Sequence, residues 1–175
     1  MLPDTHNFFH VPRKIQVGGG VGIFLLKQFT NIKMVNRRTY ESFEHLEINF
    51  NCDKQRTTVV VLYRPPRTSI TRFNEEFNDF LNLFNDELRQ TYICGDFNIW
   101  LDHPNDNNVN RFIEIIECHN LENGVSEPTS RSGHTLDLII YDKDHKQISK
   151  PELEPDFELS YFHNLITFDL CIRKQ

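Results

Sequence analysis

The sequence predicts a mixed α/β fold, on three observations. Six short segments have the apolar or alternating pattern of strands, at residues 22–27, 43–50, 57–63, 91–97, 135–141 and 164–172. Two segments between them, 73–88 and 110–118, have helical periodicity. No internal repeat or low-complexity linker divides the chain. Many strands with two intervening helices favour a layered α/β domain over a helical bundle.

The strand predictions rest on side-chain alternation and on where each run stops. Segment 43–50 alternates Phe43, His45, Glu47 and Asn49 against Glu44, Leu46, Ile48 and Phe50. Segment 57–63 is rich in β-branched residues and stops just before Pro65-Pro66, because proline cannot donate to a strand ladder. Segment 91–97 is largely apolar, which is typical of a buried strand.

The helix predictions rest on apolar residues that recur every three or four positions. In the first helix these are Phe73, Phe77, Phe80, Leu81, Phe84 and Leu88, with polar residues between them. In the second, Phe112, Ile113 and Ile116 are expected to face inward.

Length and composition indicate one intracellular domain that spans residues 1–175. The chain has 15 Phe and 12% aromatic residues, too many for a disordered tail. Its longest apolar runs, 23–26 and 59–63, are far too short to cross a membrane, and no secretory signal is visible. The four cysteines are widely separated, which gives neither a zinc motif nor a disulfide framework.

Charge is divided unevenly along the chain. The net charge is −6, but residues 1–40 contain six Lys or Arg and only one acid. We call these six the basic lip: Arg13, Lys14, Lys27, Lys33, Arg37 and Arg38. The basic lip is compatible with nucleic-acid contact, although a solvated charged face explains it equally well.

The sharpest local motif is Gly95-Asp96-Phe97-Asn98, at the end of a predicted strand. A carboxylate and a carboxamide two residues apart can orient a water molecule and hold a phosphoryl oxygen. The alternative is that Asp96 and Asn98 only cap the turn before Trp100.

Further motifs follow in a fixed order along the chain. They are Phe8 to Arg13 with Gly18 to Ile23, then Tyr63-Arg64-Pro65-Pro66, Gly95 to Asn98, Ser132 to Ile140, and His163 to Phe168. In order and spacing they resemble the endonuclease/exonuclease/phosphatase superfamily, and more narrowly the apurinic-endonuclease-like domain of non-LTR (LINE-type) retrotransposons.

The resemblance implies a four-layer α/β/β/α sandwich that cleaves DNA phosphodiester bonds with Mg²⁺. It implies that Asp96 activates the attacking water and contributes to metal binding, that Asn98 supports the transition state, and that Tyr63 contacts the phosphate. His163 would lie beside the scissile phosphate, hydrogen-bonded to Asp137. It also implies a parent element with a reverse transcriptase domain, and action in the nucleus.

We further expect Arg13, Lys14, Arg64 and Thr135 to contact phosphate or DNA. Two departures from the family pattern lead us to expect an incomplete Mg²⁺ site and weak catalysis. The family's first strand and helix, with a metal-binding Glu, have no counterpart before Phe8. In addition, Phe162 replaces the Asp of a Ser-Asp-His motif, or Tyr161 does if one residue has been inserted, and neither can bind Mg²⁺. The alternatives are a non-catalytic remnant that binds nucleic acid or protein, and an inert fragment.

Overall fold

A computed structural model of the chain describes residues 4–13, 20–35, 37–52, 55–103, 105–144, 148–155 and 163–170. The strands are β1 (His6–Pro12), β2 (Gly20–Leu26), β3 (Thr30–Val35), β4 (Glu44–Cys52), β5 (Gln55–Tyr63), β6 (Thr91–Asp96), β7 (Leu121–Asn123), β8 (Asp137–Asp142), β9 (Glu152–Pro155) and β10 (Asn164–Thr167). The helices are α1 (Ile70–Asn82) and α2 (Asn107–Cys118), with a 3-10 helix at Asn85–Gln90.

A six-stranded sheet forms the centre of the described structure. Its strand order is β3-β4-β5-β6-β8-β7, and all neighbours are antiparallel except β5 and β6. A parallel pair needs a crossover connection, and α1 together with the 3-10 helix supplies it. As a result, β5 and β6 end at the same edge of the sheet.

Both helices pack on one face of this sheet. Ser69 caps α1 by accepting a hydrogen bond from the Arg72 backbone, and Asp106 caps α2 by accepting one from Asn108. The largest core cluster lies here, and its fully buried aromatic residues are Phe73, Phe77, Phe80, Phe84, Phe97 and Phe112. The apolar faces of the helices therefore account for most of the Phe-rich composition.

Two small antiparallel sheets, β1–β2 and β9–β10, pack on the opposite face. Strand β5 shows how one strand contributes to both layers. Val60 and Leu62 join the helix-side core, whereas Val59, Val61 and Tyr63 pack with β1 and β2. Because successive side chains alternate across a strand, each residue is assigned to one layer by its position.

The predicted mixed α/β sandwich is confirmed, with a helix layer, a central sheet and a second strand layer. A second helix layer, outside the small sheets, is not found among the described residues. The predicted helix at 73–88 ends earlier, at Asn82. Tighter turns follow it, in which the backbone nitrogens of Leu83 and Phe84 donate to residues three positions back, and the chain then enters the 3-10 helix. Four strands, β1, β3, β7 and β9, were not predicted, because their alternation is short or mixed with polar residues. The final strand ends at Thr167, and residues 171 and 172 lie outside the described part.

In the described part of the chain, no helix is long and apolar enough to cross a membrane.

Candidate active site

The predicted site residues lie at one edge of the central sheet, on three neighbouring strands. Tyr63 ends β5 and pairs in register with Asp96, which ends β6; Asp96 pairs in turn with Asp137 at the start of β8. The alternation places Asp96 on the side of Tyr92 and Cys94, facing the small sheets. Register alone therefore brings two carboxylates and a phenol side by side.

The turn after β6 is built so that Asp96 and Asn98 hold each other. The backbone nitrogen of Asn98 donates to Asp96 Oδ1 at 3.0 Å, and its side-chain nitrogen donates to Oδ2 at 2.8 Å. The same side-chain nitrogen also donates to the carbonyl of Arg64 at 2.8 Å. Asn98 has a φ of 50°, a left-handed conformation that Asn tolerates well. The side-chain nitrogen is thus engaged twice, whereas the amide oxygen of Asn98 accepts no hydrogen bond from the described residues and is the group that can meet a ligand.

Capping and catalysis are therefore not exclusive explanations of this motif. Asp96 does cap the turn, as the structural alternative expects, but both of its oxygens keep further lone pairs. The side chain is held in one orientation, which is also what a catalytic carboxylate needs.

His163, directly before β10, is the third titratable residue at this edge of the sheet. Its Nδ1 donates to Oδ2 of Asp137 at 2.9 Å, the hydrogen bond that the resemblance implied. Asp96, Asp137 and His163 each offer one ligand atom, and these atoms lie within 4.8 Å of one another. Residues separated by 67 positions in sequence thus converge on one small volume.

The charges in this cluster perturb one another. Burial, together with the negative charge of Asp137, raises the pKa of Asp96 to about 6, against the opposing effects of His163 and Asn98. Burial disfavours the imidazolium of His163, but the hydrogen bond and charge of Asp137 outweigh it and raise the pKa of His163. Perturbed acid and base groups in one cluster are typical of functional sites.

Thr129 positions the Asp137–His163 pair, although no motif in the sequence pointed to it. Its hydroxyl oxygen accepts hydrogen bonds from the backbone nitrogens of Leu136 and Asp137, both at 3.0 Å, and its carbonyl accepts from Asn164 at 2.8 Å. It is fully buried. The only sequence signal was a Thr-Ser pair before the glycine turn at 132–133, which is too common to single out.

Two of the residues expected to contact phosphate, Arg64 and Thr135, are buried and bonded to backbone carbonyls. Arg64 is only 4% exposed and donates to the carbonyls of Phe97, Asn98 and Thr68, so its guanidinium supports the turn that carries the site. Thr135 is buried and donates to the Glu127 carbonyl.

Three arginines of the basic lip have acidic partners. Arg13 pairs with Glu44 at 2.6 Å and lies 5.1 Å from the centre of the Tyr63 ring. Arg37 pairs with the buried Glu47, and Arg38 lies 4.0 Å from Asp79. Lys27 and Lys33 are exposed, whereas Lys14 lies outside the described residues. The described part of the lip is therefore less positive than its sequence suggests.

Comparisons with known proteins agree with this architecture. A structure of the endonuclease domain of TRAS1, a telomere-specific non-LTR retrotransposon, matches with a TM-score of 0.72 at 15% identity, over 95% of this chain and 80% of that one. The AP endonuclease LMAP from Leishmania major matches with a TM-score of 0.69 at 11% identity, over 95% and 71%. D. rerio TDP2, complexed with a single-strand DNA product, gives 0.62 at 13% identity, over 94% and 77%. At such identities these likenesses show a shared fold.

No curated protein matches the chain in sequence. A family model does: the one described as endonuclease-reverse transcriptase matches residues 57–166. That range begins in β5 and ends in β10, so it contains Tyr63, Asp96, Asn98, Asp137 and His163. It covers more than half of the chain, and the chain therefore belongs to the endonuclease-reverse transcriptase family.

Proposed function

We propose that this chain is a retrotransposon-type endonuclease domain that hydrolyses phosphodiester bonds in DNA with the help of Mg²⁺. The observation that carries the proposal is the convergence of Asp96, Asp137 and His163 on one point, beside the turn that Asn98 closes. The family membership and the fold support the same reaction class. Since the proposed substrate is DNA, we also propose the nucleus as the place of action.

The residues present fit a hard divalent cation. Two facing carboxylates, Asp96 and Asp137, give oxygen ligands of the type that Mg²⁺ prefers, and a cation between them would offset their repulsion. Asp96 is the principal ligand of the proposal, because Asp137 is already engaged with His163. When bound, the cation would supply charge stabilisation at the phosphate.

The chain's own residues supply the remaining functions. A carboxylate oxygen of Asp96 would orient the attacking water and accept its proton. The amide oxygen of Asn98 would fix that water, and Tyr63 would contact the phosphate from the neighbouring strand end. Nε2 of His163 faces away from the Asp137 bond and would donate a hydrogen bond to a phosphate oxygen, with Asp137 holding the ring's tautomer.

We propose further that weak metal binding limits the rate. Phe162, which stands where the family pattern has an Asp, offers no oxygen ligand. Asp96 would then hold the cation with little help, and catalysis would need high Mg²⁺ concentrations. The parent protein would carry a reverse transcriptase domain, as the family description suggests.

Nicking of a supercoiled plasmid as a function of Mg²⁺ concentration tests the proposal. We expect slow nicking that is not saturated at millimolar Mg²⁺, and loss of at least about 10²-fold in Asp96→Asn and His163→Ala. His119→Ala is the matched control, because His119 is also a half-buried histidine with a side-chain partner, Asn78, but lies on the helix side. Salt-sensitive DNA binding with no nicking at any Mg²⁺ concentration would contradict the proposal and favour the non-catalytic alternative.

A further inference from the structure

A second cluster of metal-ligating side chains lies outside the proposed active site. It consists of Asp102 and His103, in the loop after β6, and His134, in the turn before β8. One ligand atom from each lies within 4.8 Å of the others. Oδ2 of Asp102 is 2.9 Å from Nδ1 of His134 and 3.8 Å from Nε2 of His103. We propose that these three residues form a binding site for a borderline divalent metal ion such as Zn²⁺.

The spacing suits such an ion. Ligand atoms about 2.0–2.1 Å from a tetrahedral Zn²⁺ lie about 3.3 Å apart, which is between the two separations in the structure. Two imidazoles with one carboxylate favour Zn²⁺ or its neighbours in the transition series over Mg²⁺, which prefers oxygen. All three side chains retain access to solvent, so water molecules complete the coordination.

The backbone around His134 is held rigidly enough to present a ligand. Its carbonyl accepts from the backbone nitrogens of Thr129 and Ser130, and the Ser130 hydroxyl bonds to both its carbonyl and its nitrogen. Its ring stacks on Trp100, with centroids 4.1 Å apart and planes 6° from parallel. His103 meets the same indole edge-on at 4.9 Å. Both imidazoles are therefore oriented before any ion arrives.

Metal binding changes the tautomer of His134. Without metal, Nδ1 of His134 donates a hydrogen bond to Asp102; on binding, the single proton of the neutral ring is exchanged through solvent to Nε2, and the lone pair of Nδ1 binds the ion. The ion then connects the loop that follows Asn98 to the turn that precedes Asp137. The site would therefore tie together two segments that carry active-site residues without using any of those residues itself.

The chain contains a single tryptophan, and it lies against this site, which makes the test direct. Metal-free protein near pH 7.5 is titrated with Zn²⁺ and, separately, with paramagnetic Co²⁺, while Trp100 fluorescence and the visible absorption of Co²⁺ are followed. We expect one equivalent of each ion to bind next to Trp100, besides any ion held by Asp96 and Asp137. Co²⁺ should quench the Trp100 emission, and a large excess of Mg²⁺ should leave it unchanged. Zn²⁺ should also raise the Tm, because it binds the folded state.

Conservative variants assign the signal to the cluster. Zn²⁺ binding should weaken by at least about tenfold in each of Asp102→Asn, His103→Gln and His134→Gln. Loss of even a hydrogen-bond partner of a metal ligand lowers metal affinity by that factor. His119→Gln and His163→Ala should retain wild-type affinity. Absence of a Trp100 response to both Zn²⁺ and Co²⁺, wild-type affinity in the three cluster variants, or loss of the Trp100 response in His163→Ala would overturn the proposal. Because all three ligands are partly exposed, their replacement should not unfold the chain, and we expect circular dichroism spectra of the variants to match that of the wild type.

Discussion

Replacement of Gly95 by alanine should disturb the proposed active site by pushing apart the two strands that carry it. Gly95 has a φ of 143°, which side-chain-bearing residues rarely adopt, and a Cβ placed on it would lie 1.9 Å from the carbonyl oxygen of Leu62. Real Cβ atoms essentially never lie within 3.0 Å of an atom outside their own residue and its two chain neighbours. Strands β5 and β6 would therefore have to separate by about 1 Å at the point where they carry Tyr63 and Asp96.

The expected loss of stability follows from two contributions. Forcing alanine into this backbone conformation costs about 1–3 kcal/mol. Separating the parallel pair weakens one or two backbone hydrogen bonds, each contributing about 1 kcal/mol. We therefore expect Gly95→Ala to lower the free energy of unfolding by about 2–5 kcal/mol, a large share of the stability of a typical domain.

Gly133→Ala is a matched control for the steric part of this effect. Gly133 also has a positive φ, 86°, but a Cβ placed on it would have no atom within 4 Å. We expect it to lower stability by only about 1–2 kcal/mol, from backbone strain alone. Urea unfolding followed by circular dichroism measures both variants, and equal losses would refute the argument that the Leu62 carbonyl excludes a side chain.

Gly95→Ala should also reduce activity under conditions where it remains folded. A displacement of about 1 Å at a reacting group lowers rates by about 10²-fold. Nicking per folded molecule, measured well below the urea midpoint, should fall by that factor, whereas Gly133→Ala should nick at the wild-type rate. Normal nicking by folded Gly95→Ala would show that the position of Asp96 relative to Tyr63 does not matter.

Three further predictions concern single side chains. Burial and then the charge of Arg37 lower the pKa of His45 to about 4, so between pH 6.5 and 4 the unfolded chain binds a proton that the folded chain does not. The free energy of unfolding should therefore fall by about 3 kcal/mol as the pH falls through that window. His45→Gln should remove this part of the pH dependence of the urea midpoint. A pH dependence unchanged in His45→Gln would contradict this. Asp137→Asn should reduce nicking by about 10² or more, because the imidazole of His163 loses the negative charge that stabilises it and fixes its tautomer. The exposed control Asp79→Asn should not reduce nicking, and equal rates in the two variants would exclude Asp137 from the site. Arg64→Lys should lower stability by about 1–3 kcal/mol, since a single ammonium nitrogen cannot take the place of the two guanidinium nitrogens that reach these carbonyls. It should leave the DNA Kd unchanged; a weaker Kd with full stability would instead support phosphate contact.

Much of the fold was predictable because the relevant signals are local. The Phe73-Phe77-Phe80 spacing requires a helix whose apolar face is covered, and α1 buries all three. Alternation in 43–50 predicted that Leu46, Ile48 and Phe50 share one face of β4, and all three belong to the core cluster of the second strand layer. The strands β1 and β3 were missed because partly polar, half-exposed strands gain their stability from pairing partners, which periodicity does not reveal.

For the candidate site, too, local motifs supplied part of the answer and the tertiary structure supplied the rest. The motifs identified the candidates Asp96, Asn98, Asp137 and His163. Residue type alone, however, does not reveal which polar side chains point outward. Arg64 illustrates this limit: next to Tyr63 in a polar motif it reads as a phosphate ligand, yet its guanidinium is buried among carbonyl oxygens. Thr129 gave no usable signal, although it fixes the start of β8.

The sequence by itself determined the two helices, six of the ten described strands, their apolar faces, and the family to which the ordered motifs belong. Only the tertiary structure decided which side chains meet. The pairing of Asp96 with Asp137 depends on the register of β6 against β8, and that of Asp137 with His163 on a strand 26 residues further along. The stacking of Trp100 on His134 likewise joins two loops. Such contacts are set by long-range register and packing, whereas sequence patterns report only what neighbouring residues along one strand or helix have in common.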